Sequence, residues 1–199
     1  MKKLLAFSIL IVLLFPACAK KPADTSQAPP ATPLEQSLLS LKDNIGKKDY
    51  DQAWLSLRSS LEAFWGETPL LLNNTKFVSS ENNTFGIYTP KDSEEFAPGE
   101  VVRLYCEPVG YSVNKNAQGQ YEFAFRADFS IADEKGKVLG GQKDFANLNF
   151  TSWNFNTEVA LTFTFTFTGL EKGKYKIITL VKDANSEKTA TVEKTISII

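Results

Sequence analysis

Residues 160–175 read ALTFTFTFTGLEKGKY, and the strict Thr/Phe alternation constrains the fold more than any other stretch of the chain. A period of two puts Leu161, Phe163, Phe165 and Phe167 on one face of a strand and Thr162, Thr164, Thr166 and Thr168 on the other. So apolar a row must meet lipid, another copy of itself, or a core. The other strands decide between these. Tyr121, Phe123, Phe125, Ala127, Phe129 and Ile131 alternate with Glu122, Ala124, Arg126, Asp128 and Ser130, so the second face is charged. A membrane barrel needs an apolar outer band on every strand, and these strands lack one. The phenylalanines are therefore expected to point into a soluble core, with the threonines outward. Until that core forms, the uncharged, proline-free segment is an aggregation hazard.

The same period recurs from residue 75 to the C-terminus. Val102, Leu104 and Cys106 alternate with Arg103, Tyr105 and Glu107, and Ala146, Leu148 and Phe150 with polar neighbours. Tyr175, Ile177, Thr179 and Val181, then Ala190, Val192, Ile196 and Ile198, complete the series. Turn-forming clusters at 97–100, 114–119, 133–136, 170–173 and 183–188 separate the runs. Gly140-Gly141 marks a bulge or bend within one of them. The expected fold is mainly β: an antiparallel sandwich of seven to eight strands over residues 75–199.

Two segments of this region, FAPGEVVRLY (96–105) and GLEKGKYKIITLVKD (169–183), resemble bacterial immunoglobulin-like and fibronectin type III-like domains. Tyr175, five residues after Leu170, is similar to the tyrosine that turns the corner into a late strand of such domains. The resemblance covers residues 95–199 and implies an immunoglobulin-like sandwich of the disulfide-free branch. It implies no particular activity.

Ahead of the strands the period is helical. Leu34, Leu38, Leu41 and Ile45 form one stripe, and Tyr50, Trp54, Leu57, Leu61 and Phe64 a second. Gly46 suits a C-terminal cap and Asp49 an N-cap, and Gly66 and Pro69 end the segment, so residues 34–66 read as a helical hairpin. GKKDYDQAW (46–54) looks like part of a tetratricopeptide-type helix pair, but the chain carries no second copy. The two stripes are expected to pack on each other and onto the sandwich, with Trp54 and Trp65 as packing residues; a partner-docking surface is the other reading.

The N-terminus, MKKLLAFSILIVLLFPACAKK, has two lysines, an apolar run from Leu4 to Phe15 and then small residues. This is the layout of a secretory signal, and its apolar run, about 20 Å long as a helix, is short for a membrane span. LFPAC (14–18) resembles the lipobox of bacterial lipoproteins, which implies residues 1–17 as signal peptide and Cys18 as the acylated N-terminus. The competing reading takes ACA as an A-x-A site, with cleavage after Ala19 and a soluble secreted or periplasmic product. In a Gram-negative cell the lipoprotein reading implies the outer membrane, facing the periplasm. Residues 18–33 carry the lipidated cysteine and then a tether with four prolines, able to extend about 45–50 Å.

Catalytic chemistry finds little footing. The 199 residues contain no histidine, so His-based triads and His metal sites are excluded. With 22 basic against 23 acidic residues, nothing points to nucleic acid. Cys106 sits on an apolar strand face and reads as a small buried hydrophobe. The acids of residues 93–95, 133–134 and Asp144 lack calcium-loop or paired-carboxylate spacing. The expectation is a non-enzymatic, cofactor-free and metal-free envelope protein. It is held to the membrane through Cys18 and contacts another envelope protein, with Tyr111, Trp153 and Phe155 as candidate contact residues. A carrier of a hydrophobic ligand, bound between the sheets or beneath the helices, is the alternative.

Overall fold

The computed structural model describes residues 30–199; the signal segment, Cys18 and most of the tether lie outside the described residues. Residues Ala31–Ile199 form one compact unit. It opens with helix α1 (Pro33–Gly46), for which Thr32 is the N-cap. The Glu35 amide donates to Thr32 Oγ1 (3.2 Å), and the Thr32 amide donates to the Glu35 carboxylate (2.7 Å). This reciprocal capping box satisfies two otherwise orphaned donors. Helix α2 (Tyr50–Glu67) starts at the Asp49 N-cap, whose side chain accepts from the Gln52 amide. Both helix starts follow from short polar side chains that can fold back on the first turn.

The remainder is mainly β: β1 (Leu71–Phe77), β2 (Glu95–Phe96), β3 (Val101–Val109), β4 (Asn114–Lys115), β5 (Tyr121–Asp133), β6 (Val138–Ser152), β7 (Leu161–Thr166), β8 (Gly173–Asp183) and β9 (Thr189–Ile198). One sheet has the order β1-β3-β7. The other runs β2-β9-β8-β5-β4, with β6 on the free side of β5. Every named pairing is antiparallel except β2 with β9. The strands begin at Leu71, four residues ahead of the expected start.

The Thr/Phe segment is β7, and its apolar row enters the core. Leu161, Phe163 and Phe165 are buried, and Phe167 is half-buried. Phe165 meets Phe129 edge-on at 5.2 Å, and Phe163 and Phe165 lie 5.7 and 5.3 Å from Phe145. The rings of β5, β6 and β7 thus join the two sheets through one apolar cluster. Burying Leu161, Phe163 and Phe165 contributes roughly 5–9 kcal/mol before entropy. Thr164 and Thr166 are exposed.

Strand β3 departs from the expected alternation, because Tyr105 and Glu107 are as buried as Leu104 and Cys106. Residues 79–90 cover this outer face. Tyr105 Oη donates to Glu107 (2.6 Å), and the Gly86 amide donates to both Tyr105 Oη (3.1 Å) and Glu107 (3.3 Å). Desolvation, reinforced by the Glu107 hydrogen bond, pushes the Tyr105 phenol up to about 12. Around Gly140-Gly141 the β5–β6 ladder shifts register between Ala127/Phe129 and between Ile131/Ala132. A Cβ on Gly141 would stand 2.5 Å from the Phe129 carbonyl oxygen, so the close approach requires glycine.

Candidate interaction surface

The hairpin packs through small side chains. Ala53 and Ser60 are buried and Ser56 and Ala63 half-buried, so positions 53, 56, 60 and 63 form the α2 seam. Leu34, Ser37, Leu41 and Asn44 are the half-buried positions of α1, and Asn44 Nδ2 donates to Ser56 Oγ (3.0 Å). Small residues on α2 let the two helices approach closely, Leu34 and Leu41 of α1 pack against them, and the large apolar residues of α2 are left outside the seam.

The row Tyr50, Trp54, Leu57, Leu61 and Phe64 lies about 100° around α2 from that seam. All five are exposed, Trp54 at 60% and Tyr50 at 69%. On α1, Leu38 and Ile45 are likewise exposed, about a quarter turn from their seam in the same rotational sense. In an antiparallel pair, equal rotations from facing seams bring both rows to one side. The two rows therefore share one face of the hairpin, with Leu39 and Leu55 exposed elsewhere on the helices. The expected packing of these stripes onto the strands does not occur. The strands hold only the C-terminal end of α2.

That junction is specific. Trp65 is buried, and its Nε1 donates to the Tyr111 carbonyl (3.0 Å). Its ring meets Tyr111 and Phe155 edge-on at 5.2 and 6.0 Å. Lys188 Nζ donates to the carbonyls of Gly66 (3.0 Å), Thr68 (2.8 Å) and Gly110 (2.8 Å), so a cation closes the α2 C-terminus. Gly110, at φ 78°, leaves no room for a Cβ, which would fall 2.3 Å from the Pro69 carbonyl oxygen. The buried Asp183 accepts from the Ser112 amide (2.7 Å), the Asn185 amide (2.9 Å) and Ser186 Oγ (2.7 Å), fixing the loops beneath.

The sequence-derived contact residues divide accordingly. Tyr111 is buried, its hydroxyl donating to the Asn156 carbonyl and its ring packed on Phe123 and Phe125; burial pushes its phenol pKa up. Phe155 is half-buried between Trp65 and Tyr121. Only Trp153 is exposed. Tyr111 and Phe155 thus pack the junction, with a cavity of about 250 Å³ beside them that Glu62, Trp65 and Lys188 also line. Cys18 lies outside the described residues.

Cys106 is buried, and desolvation, with Glu107 adding to it, raises its thiol to about 12. Among the described residues no group of His, Cys, Asp and Glu is placed to hold a metal ion. A groove of about 420 Å³ at the β5–β8–β9 end is lined by Ala132, Val138, Tyr175 and Ile178, with Lys174 and Lys176 at its edge. No family model matches the chain, and no curated protein matches it.

Proposed function

We propose that the chain is a lipid-anchored, non-enzymatic cell-envelope protein whose helical hairpin, displayed by an immunoglobulin-like sandwich, docks another protein. The observation that carries this reading is the exposed row Tyr50, Trp54, Leu57, Leu61 and Phe64. A contiguous exposed apolar face marks an interaction site, and Trp and Tyr are the residues that most often anchor one.

Three features support the immunoglobulin-like assignment. The orders β1-β3-β7 and β9-β8-β5-β6 correspond to the A-B-E and G-F-C-C′ arrangement of such domains. Tyr175 Oη donates to the Glu171 carbonyl (2.9 Å), the bond of a tyrosine corner at the start of the F strand. Ile177, two residues further on, takes the position of the second cysteine of antibody domains, in keeping with the disulfide-free branch. The missing histidine and the high thiol pKa of Cys106 support a non-enzymatic role. The sequence LFPAC supports acylation at Cys18.

Two measurements test this. Mass spectrometry of the mature N-terminus should find an acylated Cys18; an unmodified Lys20 there would remove the anchor. A photoreactive residue replacing Trp54 in living cells should give protein adducts. Adducts to lipid alone would favour the hydrophobic-ligand carrier instead.

A further inference from the structure

We infer that the occupant of the exposed hairpin face is a second copy of this chain, bound α2 against α2 in antiparallel fashion about a two-fold axis. This rests on the reading of the hairpin as a docking face and goes on to name the partner. The outward row of α2 is spaced 4-3-4-3 (50, 54, 57, 61, 64), the spacing of a coiled-coil seam, and the exposed Leu38 and Ile45 of α1, seven residues apart, lie beside it. An apolar face shared by two adjacent helices is completed by another helix pair, giving a four-helix arrangement.

Charge selects among occupants. The exposed Asp51 and the half-buried Arg58 flank the α2 row on the side away from α1, both about a quarter turn from it. In an antiparallel pair that seats Trp54 against Leu57 of the other copy, and Tyr50 against Leu61, Asp51 of each copy comes opposite Arg58 of the other. The row is thus complementary to itself, as a two-fold interface requires. An anionic lipid surface fits less well, because α2 carries Asp51, Glu62 and Glu67 against the single Arg58. The sheets join α2 at its C-terminal end, so antiparallel overlap keeps the two β regions at opposite ends.

The area is sufficient. Tyr50, Trp54, Leu57, Leu61 and Ile45 expose 69%, 60%, 45%, 41% and 53% of their surface. Covering them removes roughly 500–600 Å² per copy, or about 1,000–1,200 Å² in the pair, which reaches the range of specific interfaces at its lower end. A reversible dimer of micromolar affinity is expected.

Sedimentation equilibrium on the compact unit, residues 31–199, tests the assignment. The expected result is a monomer–dimer equilibrium, weakened at least a hundredfold by Trp54→Glu. Asp51→Arg and Arg58→Asp singly should each weaken it about tenfold, and the double reversal should restore it. A monomer at every concentration up to about 200 μM would overturn the second copy as occupant. So would a dimer indifferent to Trp54→Glu, or a double reversal that fails to restore what the single changes lose. In the first of these cases, protein adducts at Trp54 in cells would leave the docking face standing, with a different protein on it.

Discussion

Two rows of large apolar residues, Tyr50–Phe64 on α2 and Leu161–Phe165 on β7, carry the same chemistry and meet opposite fates. The β7 row is covered because the facing sheet brings Phe129 of β5 and Phe145 of β6 against it. The α2 row is left in water because its helix spends its neighbour-facing side on Ala53, Ser56 and Ser60. A sheet recruits its second layer from within the chain, whereas a lone helix pair has two faces and one partner. Amphipathic patterning therefore tells which side of an element is apolar. It does not tell whether the chain itself supplies the cover.

The comparison can be broken most easily at its ends. Phe165→Ala should cost about 3–5 kcal/mol in denaturant unfolding, because it opens a cavity between packed rings. Trp54→Ala, measured on the dilute monomer, should stay within about 0.5 kcal/mol. Equal losses would mean that the helical row is also core. Lys188→Met sharpens the boundary between the two regions. Removing the cation from three carbonyls should cost about 1.5–3 kcal/mol. Hydrogen exchange should quicken through the last turns of α2, while β7 and β8 keep their protection.

Smaller effects are expected within the strands. Tyr175→Phe deletes the bond to the Glu171 carbonyl and should lower stability by about 1 kcal/mol, with no change at the hairpin. The acid side of the stability curve gives the mildest signal. Asp128 is held below the usual carboxylate range first by the Asp144 amide (2.8 Å) and then by Lys182 (2.7 Å). Its folded pKa is depressed, so its contribution is complete above about pH 4 and is lost as pH falls through the folded value. Asp128→Asn should flatten the fall in unfolding midpoint below about pH 4 and leave the hairpin's exchange untouched.

Much of this was legible in residue order. The helical hairpin follows from its stripes and from the Asp49 cap, and the strands around 102–106, 121–131, 161–167 and 175–181 follow from period two. The fate of the Thr/Phe row followed as well, since charged second faces on neighbouring strands left it only a core. The helical row is the exception for the physical reason already seen: spacing alone does not decide between the two readings, packing on the strands and docking a partner. It cannot reveal that Ala53, Ser56 and Ser60 face the neighbouring helix while Trp54 stays exposed. Tyr105 and Glu107 were hidden differently. Their burial depends on residues 79–90 folding across β3, a contact between segments some twenty residues apart with no periodic signature. Tyr111 and Phe155 stood out as loop aromatics, but their position between Trp65 and Phe123 needs the junction to exist first.

Carbene footprinting of the compact unit at submicromolar concentration, read residue by residue, tests the central contrast most directly. Tyr50, Trp54 and Phe64 should label heavily while Phe163 and Phe165 stay protected. Trp54 and Phe64 protected to the same degree as Phe163 in that dilute monomer would contradict the account.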